Sequence, residues 1–303
     1  MDLVIISYNT KEITARSIST ALEHNPNINI VLVDNASTDG SVEFLENKFP
    51  SISITVNKKN LGYARAVNIG VSKCNSEFVV AANSDVYYKK DSIRTLEETL
   101  LADPNIAICG PQQIYIDGRW QYSFGYLPGI KLGLMELFFL TGFRRFIFKR
   151  KWRQKTIKGF EPEYLDGAVL AMNKKVFVEL GGFDENFFFY TEEADFCKRV
   201  QDAGYRIYFQ PDSEVIHLRG GSSGHFNIDA EKSAKFIKSK ILYCNKHLSG
   251  IEKLIYYYCE ILTNFNKFLV WSFLDLFLNN QTSKTKKNWF RTNFKTWKKL
   301  THE

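Results

Sequence analysis

The sequence predicts an α/β protein built on a doubly wound, mostly parallel sheet flanked by helices, with a helical C-terminal extension. Three observations carry that expectation. Over the first 110 residues, short β-branched runs alternate with helical periods at the spacing of strand–helix–strand units. The first, second and fourth of these runs end in polar tips, and in open α/β sheets ligands lie beyond the carboxyl ends of the strands. From residue 226 onward the pattern reads as helical.

Strands are expected over 3–7, 28–34, 52–57, 77–82 and 106–109, with helices near 10–24, 40–48, 63–73 and 91–103. The polar tips are Ser7-Tyr8-Asn9, Asp34-Asn35-Ala36-Ser37 and Asn83-Ser84-Asp85, which places three polar clusters on one sheet edge. Asp91 is placed to cap the fourth helix. From 111 to 160 the pattern is irregular and aromatic. A second ordered block then gives a strand over 166–172, a helix over 174–180 closed by Gly181-Gly182, a helix over 192–203, and strands over 205–209 and 214–217.

Composition narrows the class. The 303 residues are 45% hydrophobic, enough for a large core. Five scattered cysteines without a C-x-x-C pair fit neither a disulfide framework nor a zinc site, and suit a reducing cytoplasm. The opening apolar run, 3–6, is too short for a signal peptide, and no uncharged stretch reaches the ~20 residues of a bilayer span. Dinucleotide and phosphate-loop fingerprints are both missing, and the glycine-rich 219–224 lacks the lysine a phosphate loop needs. The net charge of +7 is concentrated in two runs, one from Arg144 to Lys158 and one from Lys284 to Lys299, which suit an anionic partner. The helix expected over 251–278 has Lys253, Glu260, Asn264, Lys267 and Asp275 on one face and a wide apolar arc opposite. Such a helix either packs on the protein or across a homodimer, or lies in a membrane interface. Lysines alternating with Trp289, Phe290, Phe294 and Trp297 favour an anionic bilayer surface. No nucleic-acid motif accompanies them.

Two clusters suggest chemistry. Asp85, just beyond a buried strand, is suited to bridge a divalent cation to a diphosphate. Glu192, Glu193 and Asp195 share the first turn of a helix, where mutual repulsion raises the pKa of one and fits it to act as a general base. His217 ends a strand, a position that serves packing as readily as ligation.

Six stretches in order resemble family 2 glycosyltransferases of the GT-A fold, in their rhamnosyltransferase-like branch. They are Val4-Ile-Ile-Ser-Tyr-Asn9, Val31-Leu-Val-Asp-Asn-Ala-Ser-Thr-Asp-Gly-Ser41, Asn60-Leu-Gly-Tyr-Ala-Arg-Ala-Val-Asn-Ile-Gly70, Asn83-Ser-Asp85, the segment from Gly181 to Arg199, and Pro211-Asp-Ser-Glu-Val-Ile-His217. The resemblance covers about residues 1–225. It implies a nucleotide-sugar-binding half (1–110), an acceptor-binding and catalytic half (111–225) and a basic-aromatic helical extension (226–303). It assigns Ser7, Tyr8, Asn9 and Asp34 to base and ribose, and Asn60, Gly62, Arg65, Asn83 and Ser84 to the rest of the nucleotide sugar. Asp85 and His217 become ligands of Mn²⁺ or Mg²⁺. Glu193 becomes the base of an inverting transfer, with Glu192 and Asp195 as alternates. The implied partners are a dTDP- or UDP-sugar donor, best dTDP-L-rhamnose, and a glycan or lipid-linked acceptor. The basic, aromatic C-terminal tail places the expected location in the cytoplasm, peripheral at the inner face of the plasma membrane.

Overall fold

The computed structural model describes residues 1–188, 190–219 and 230–301, so most of the glycine-rich stretch, 220–224, lies outside the described residues. The chain divides into two compact units. The first comprises 1–125, 151–188 and 192–225; the second comprises 126–150, 189–191 and 226–303. Residues 126–150 therefore group with the C-terminal helices, whereas the sequence placed them in the 111–225 half.

In chain order the elements begin β1 (Asp2–Ser7), α1 (Lys11–His24), β2 (Asn29–Asp34), α2 (Ser41–Lys48), β3 (Ser53–Val56), α3 (Tyr63–Ser72) and β4 (Phe78–Asn83). Then come β5 (Val86–Tyr88), α4 (Ser92–Ala102), β6 (Ile106–Ile114), β7 (Phe124–Gly125), α5 (Ile130–Leu137), α6 (Leu140–Arg153) and β8 (Tyr164–Leu165). The chain continues through β9 (Val169–Asn173), α7 (Lys174–Glu179), α8 (Glu192–Asp202), β10 (Arg206–His217), α9 (Ala230–His247), α10 (Gly250–Leu278) and α11 (Gln281–Leu300).

Eight strands form one sheet in the order β3-β2-β1-β4-β9-β6-β10-β5, while β7 and β8 pair separately. Strands β1 to β4 run parallel, with Ser7 level with Asp34 and Ile6 level with Asn83. That register puts the three polar tips at one edge, as the sequence implied. Strands β1 and β4 are buried almost throughout, because helices cover both faces of a parallel sheet. Leu3, Ile5, Leu32, Val80 and Ala82 pack in one cluster with Ile18, Leu45, Leu96 and Leu100.

Several expectations need correction. Strand β9 runs antiparallel to both β4 and β6, which an apolar run cannot signal, since hydrophobicity carries no direction. Strand β6 continues to Ile114, and the segment expected to be irregular over 111–160 holds α5 and α6. The two strands expected over 205–209 and 214–217 are one, β10, with a register shift against β6 between Gln210 and Glu214. Asp91 occupies the N-cap of α4, but its side chain makes no capping bond; its φ is +60°.

Candidate active site

The site lies within the first unit, at the carboxyl edge of the parallel strands. Asp34 closes β2 and is fully buried. Its carboxylate accepts from the Ser37 amide at 2.8 Å, from Ser37 Oγ at 2.6 Å and, more weakly, from Ser7 Oγ at 3.4 Å. Asn9 holds the neighbouring loop: its amide donates to Ser37 Oγ (2.8 Å) and its Oδ1 accepts from the Thr38 amide (2.7 Å). Tyr8 stands exposed between them.

Asn35 ties this loop to the next. Its Nδ2 donates to Asn60 Oδ1 (3.1 Å) and the Gly62 carbonyl (3.2 Å), and its Oδ1 accepts from Asn57 Nδ2 and the Leu61 amide, each at 3.0 Å. Gly62 has φ +83°, and a Cβ there would stand 2.5 Å from the Phe188 carbonyl oxygen, so the close approach requires glycine. Arg65, on the first turns of α3, is half exposed and pairs with Glu185 (3.3 Å).

Asp85 and His217 meet. Asp85 follows β4 and is 1% exposed; His217 ends β10, level with Val86 of β5. His217 Nε2 lies 3.5 Å from Asp85 Oδ1. The other ring nitrogen, Nδ1, is 2.9 Å from Gln113 Oε1, and since that oxygen can only accept, Nδ1 donates to it and the ring is held with Nε2 toward Asp85. Gln113 Nε2 in turn donates to Asp166 Oδ1 at 3.3 Å, and Gln121 Nε2 donates to the His217 carbonyl. A ligating histidine oriented through its second nitrogen is the usual arrangement at metal centres. Among the described residues no group of three or more His, Cys, Asp or Glu could hold a metal. Asp85 and His217 could supply two ligands to a divalent cation, the others then coming from diphosphate and water. Ser84, beside Asp85, is buried and accepts from Thr10 Oγ1 (3.0 Å), while the Asn83 amide donates to the Ala168 carbonyl (3.0 Å).

The acidic first turn of α8 separates into three environments. Asp195 is completely buried and paired with Arg199 Nε at 2.8 Å; Arg199 also donates to the carbonyls of Leu180 (2.6 Å) and Gly182 (2.7 Å). That carboxylate is engaged in holding the turn before α8. Glu192 is buried, its Oε2 without a hydrogen-bond partner among the described residues. Burial, followed by the charge of Glu193, holds its pKa well above the ordinary 4.5. Glu193 is half-buried and packs its methylenes against Gly167, while Tyr63 Oη donates to the Gly167 carbonyl at 2.9 Å. Burial and then the charges of Glu192 and Glu193 push the Tyr63 phenol well up, so it remains a donor.

Sequence reasoning did not single out Gln113, Gln121 or Asn68. Asn68 joins α3 to the turn after α7, donating to the Phe183 carbonyl (2.8 Å) and accepting from its amide (2.9 Å). The available signal was an amide side chain inside an apolar run, since a buried amide must find partners.

The fold is that of the GT-A glycosyltransferases. It superposes on the mannosyltransferase PcManGT from Pyrobaculum calidifontis, solved with GDP-Man and Mn²⁺, with a TM-score of 0.62 over 98% of this chain and 86% of that one, at 15% identity. Residues 2–166 match glycosyl transferase family 2, and the chain belongs to that family. Over 221 residues it is 28% identical to an N-acetylglucosaminyl-diphospho-decaprenol L-rhamnosyltransferase of Mycobacterium tuberculosis, covering 69% of this chain and 71% of the relative. It is 22% identical to the dTDP-rhamnosyl transferase RfbF of Shigella flexneri, covering 73% and 69%. The chain is a rhamnosyltransferase-like glycosyltransferase.

Proposed function

We propose that the chain transfers L-rhamnose from dTDP-L-rhamnose, with inversion, to a hydroxyl of a lipid-linked saccharide at the cytoplasmic face of a membrane. The observation that supports this reading best is the convergence of Asp85 and His217 at the strand edge, in the same unit as the half-exposed Glu193. Both relatives described above are named as rhamnosyl transferases, and one is named for a decaprenyl-diphosphate acceptor.

Asp34, with Ser7 and the Asn9 loop, binds the base and ribose through a carboxylate already fixed by Ser37. Asn60 and Gly62 shape the turn that approaches the nucleotide, and Arg65 supplies a guanidinium, whose fork suits phosphate oxygens. Asp85 and His217 would hold Mn²⁺ or Mg²⁺, the imidazole favouring Mn²⁺. When bound, that ion neutralises charge developing on the leaving diphosphate. Glu193 accepts the proton of the attacking hydroxyl while the C–O bond to the nucleotide breaks, and one displacement inverts the anomeric centre. Burial disfavours the charged form of Glu192, the carboxylate next to the base in sequence. Asp195 is bound to Arg199 and serves the turn.

A thermal-shift screen of dTDP-rhamnose, UDP-glucose and GDP-mannose, each with and without Mn²⁺, tests the donor, because a ligand that binds only the folded state stabilises it by mass action. A Mn²⁺-dependent rise with dTDP-rhamnose alone is expected. A larger rise with another nucleotide sugar overturns the donor assignment.

A further inference from the structure

The second unit turns its longest helix inside out. Between 254 and 278, α10 carries three charged residues, and each points into the unit. Glu260 pairs with Lys240 of α9 (2.5 Å) and accepts from Tyr256 Oη (2.6 Å). Lys267 faces Glu136 of α5 (4.0 Å), and Asp275 pairs with Lys287 of α11. Burial works to lower the Lys240 pKa, but Glu260 and then Glu136 more than offset it, so the ammonium keeps its charge. The opposite arc carries Ile251, Tyr258, Leu262, Leu269, Phe273 and Leu276, all exposed, with Leu276 at 78%. At 3.6 residues per turn these positions fall on one side of the helix. A surface helix of a water-soluble domain has the reverse arrangement.

Two other elements of the unit repeat the theme. Helix α6 buries none of its residues, although Phe143 and Phe146 are 64% exposed among Arg145, Lys149 and Arg150. Helix α11 turns its aromatics inward, Trp297 against Tyr256 and Tyr257 and Phe294 against Phe265. Its outer side carries Lys284, Arg291, Lys295 and Lys298, while Lys286 lies over the Trp271 ring of α10 at 4.2 Å. The basic tail therefore supplies charge, and its Trp297 is part of the core.

We propose that the second unit docks on an anionic lipid bilayer, with the exposed apolar arc of α10 lying in the interface and the cations of α6 and α11 facing the headgroups. An exposed apolar surface, in a unit whose α6 and α11 also expose cations, is complementary to acyl chains beneath anionic headgroups. Helix α10 is long and apolar enough to cross a membrane by length and composition. Its three inward ion pairs occupy the remaining face along most of its length, which leaves one side for lipid and favours lying over spanning. The proposal deepens the functional reading, since a lipid-linked acceptor is found at such a surface, yet its test needs no transfer assay.

The test is flotation of the full chain with vesicles of phosphatidylcholine alone or mixed with phosphatidylglycerol. The unmodified chain should float with the mixed vesicles. Leu262→Ser, Leu269→Ser and Phe273→Ser together should abolish flotation, and Phe277→Ser, at a position 72% exposed, should weaken it if the triple variant melts early. Arg291→Gln, Lys295→Gln and Lys298→Gln together should lower partitioning to anionic vesicles roughly a hundredfold and weaken its salt dependence. Failure of the unmodified chain to float, or undiminished flotation of the α10 variants, overturns the proposal. So does a dimer in light scattering that the α10 variants split, since a second copy then covers the face. Transfer to a soluble acceptor analogue should survive in all these variants, so the two readings fail separately.

Discussion

In the first unit, β4 buries five successive apolar side chains and releases polar groups only at its tip, Asn83-Ser84-Asp85. In the second, α10 buries Glu260 and Asn264 and leaves Leu269, Phe273 and Leu276 outside. All but six of the exposed large hydrophobic side chains among the described residues belong to the second unit; the exceptions are Tyr8, Val56, Leu101, Ile116, Val178 and Phe188. The difference is one of solvent. A sheet covered on both faces satisfies its polar groups at strand ends, where ligands bind. A helical unit with paired charges inside and apolar groups outside is suited to a surface that is itself apolar.

Variants placed in each unit can break that comparison. The largest effect is expected at Asp85. Asp85→Ala should take transfer below detection with little change in melting temperature, and EDTA should do the same reversibly to the unmodified protein. Full activity in chelator removes the cation from the reading.

Next in size is Glu193→Gln, which should keep donor binding and lose about 10²–10⁴ in rate. Asp195→Asn should act differently, because removing one member of a buried pair costs roughly 3–5 kcal/mol of stability. If Asp195→Asn folds normally and loses only rate, the assignment within the triplet is reversed.

In the second unit, Glu260→Ala leaves the largely buried Lys240 without its hydrogen-bonded carboxylate and should also cost roughly 3–5 kcal/mol. Its rate on a soluble acceptor should be unchanged below the new melting point. A stability loss of under about 1 kcal/mol would show that the pair is solvated and that α10 is not packed charge-inward.

The smallest effect concerns Glu192. Its folded pKa is raised, so folding favours its neutral form. Its contribution to stability is complete below the ordinary value of 4.5 and is lost as pH rises through the raised value. Glu192→Gln cannot ionise and should gain on the unmodified protein in thermal melts as pH rises above 4.5. Parallel melting curves over that range would place the burial cost elsewhere.

Much of the molecule was set by sequence alone, for local reasons. The alternation of β-branched runs with helical periods fixes β1 to β4 and their helices, because each period is a property of neighbours in the chain. Polar residues closing those runs mark the edge where Asp34, Asn83 and Asp85 stand. Other features depend on partners distant in sequence, and only tertiary structure decides them. The direction of β9 follows from the gap it fills between β4 and β6. The state of His217 follows from Gln113, which lies 104 residues away. Glu192, Glu193 and Asp195 share one turn of sequence but differ in role because Arg199 reaches Asp195, burial encloses Glu192 and Glu193 remains half-open. The periodicity of α10 separates a polar from an apolar face, but not which is inward. Lys240, Glu136 and Lys287 decide that, since a buried charge requires a partner, while an apolar side chain can be covered by whatever surface the unit meets.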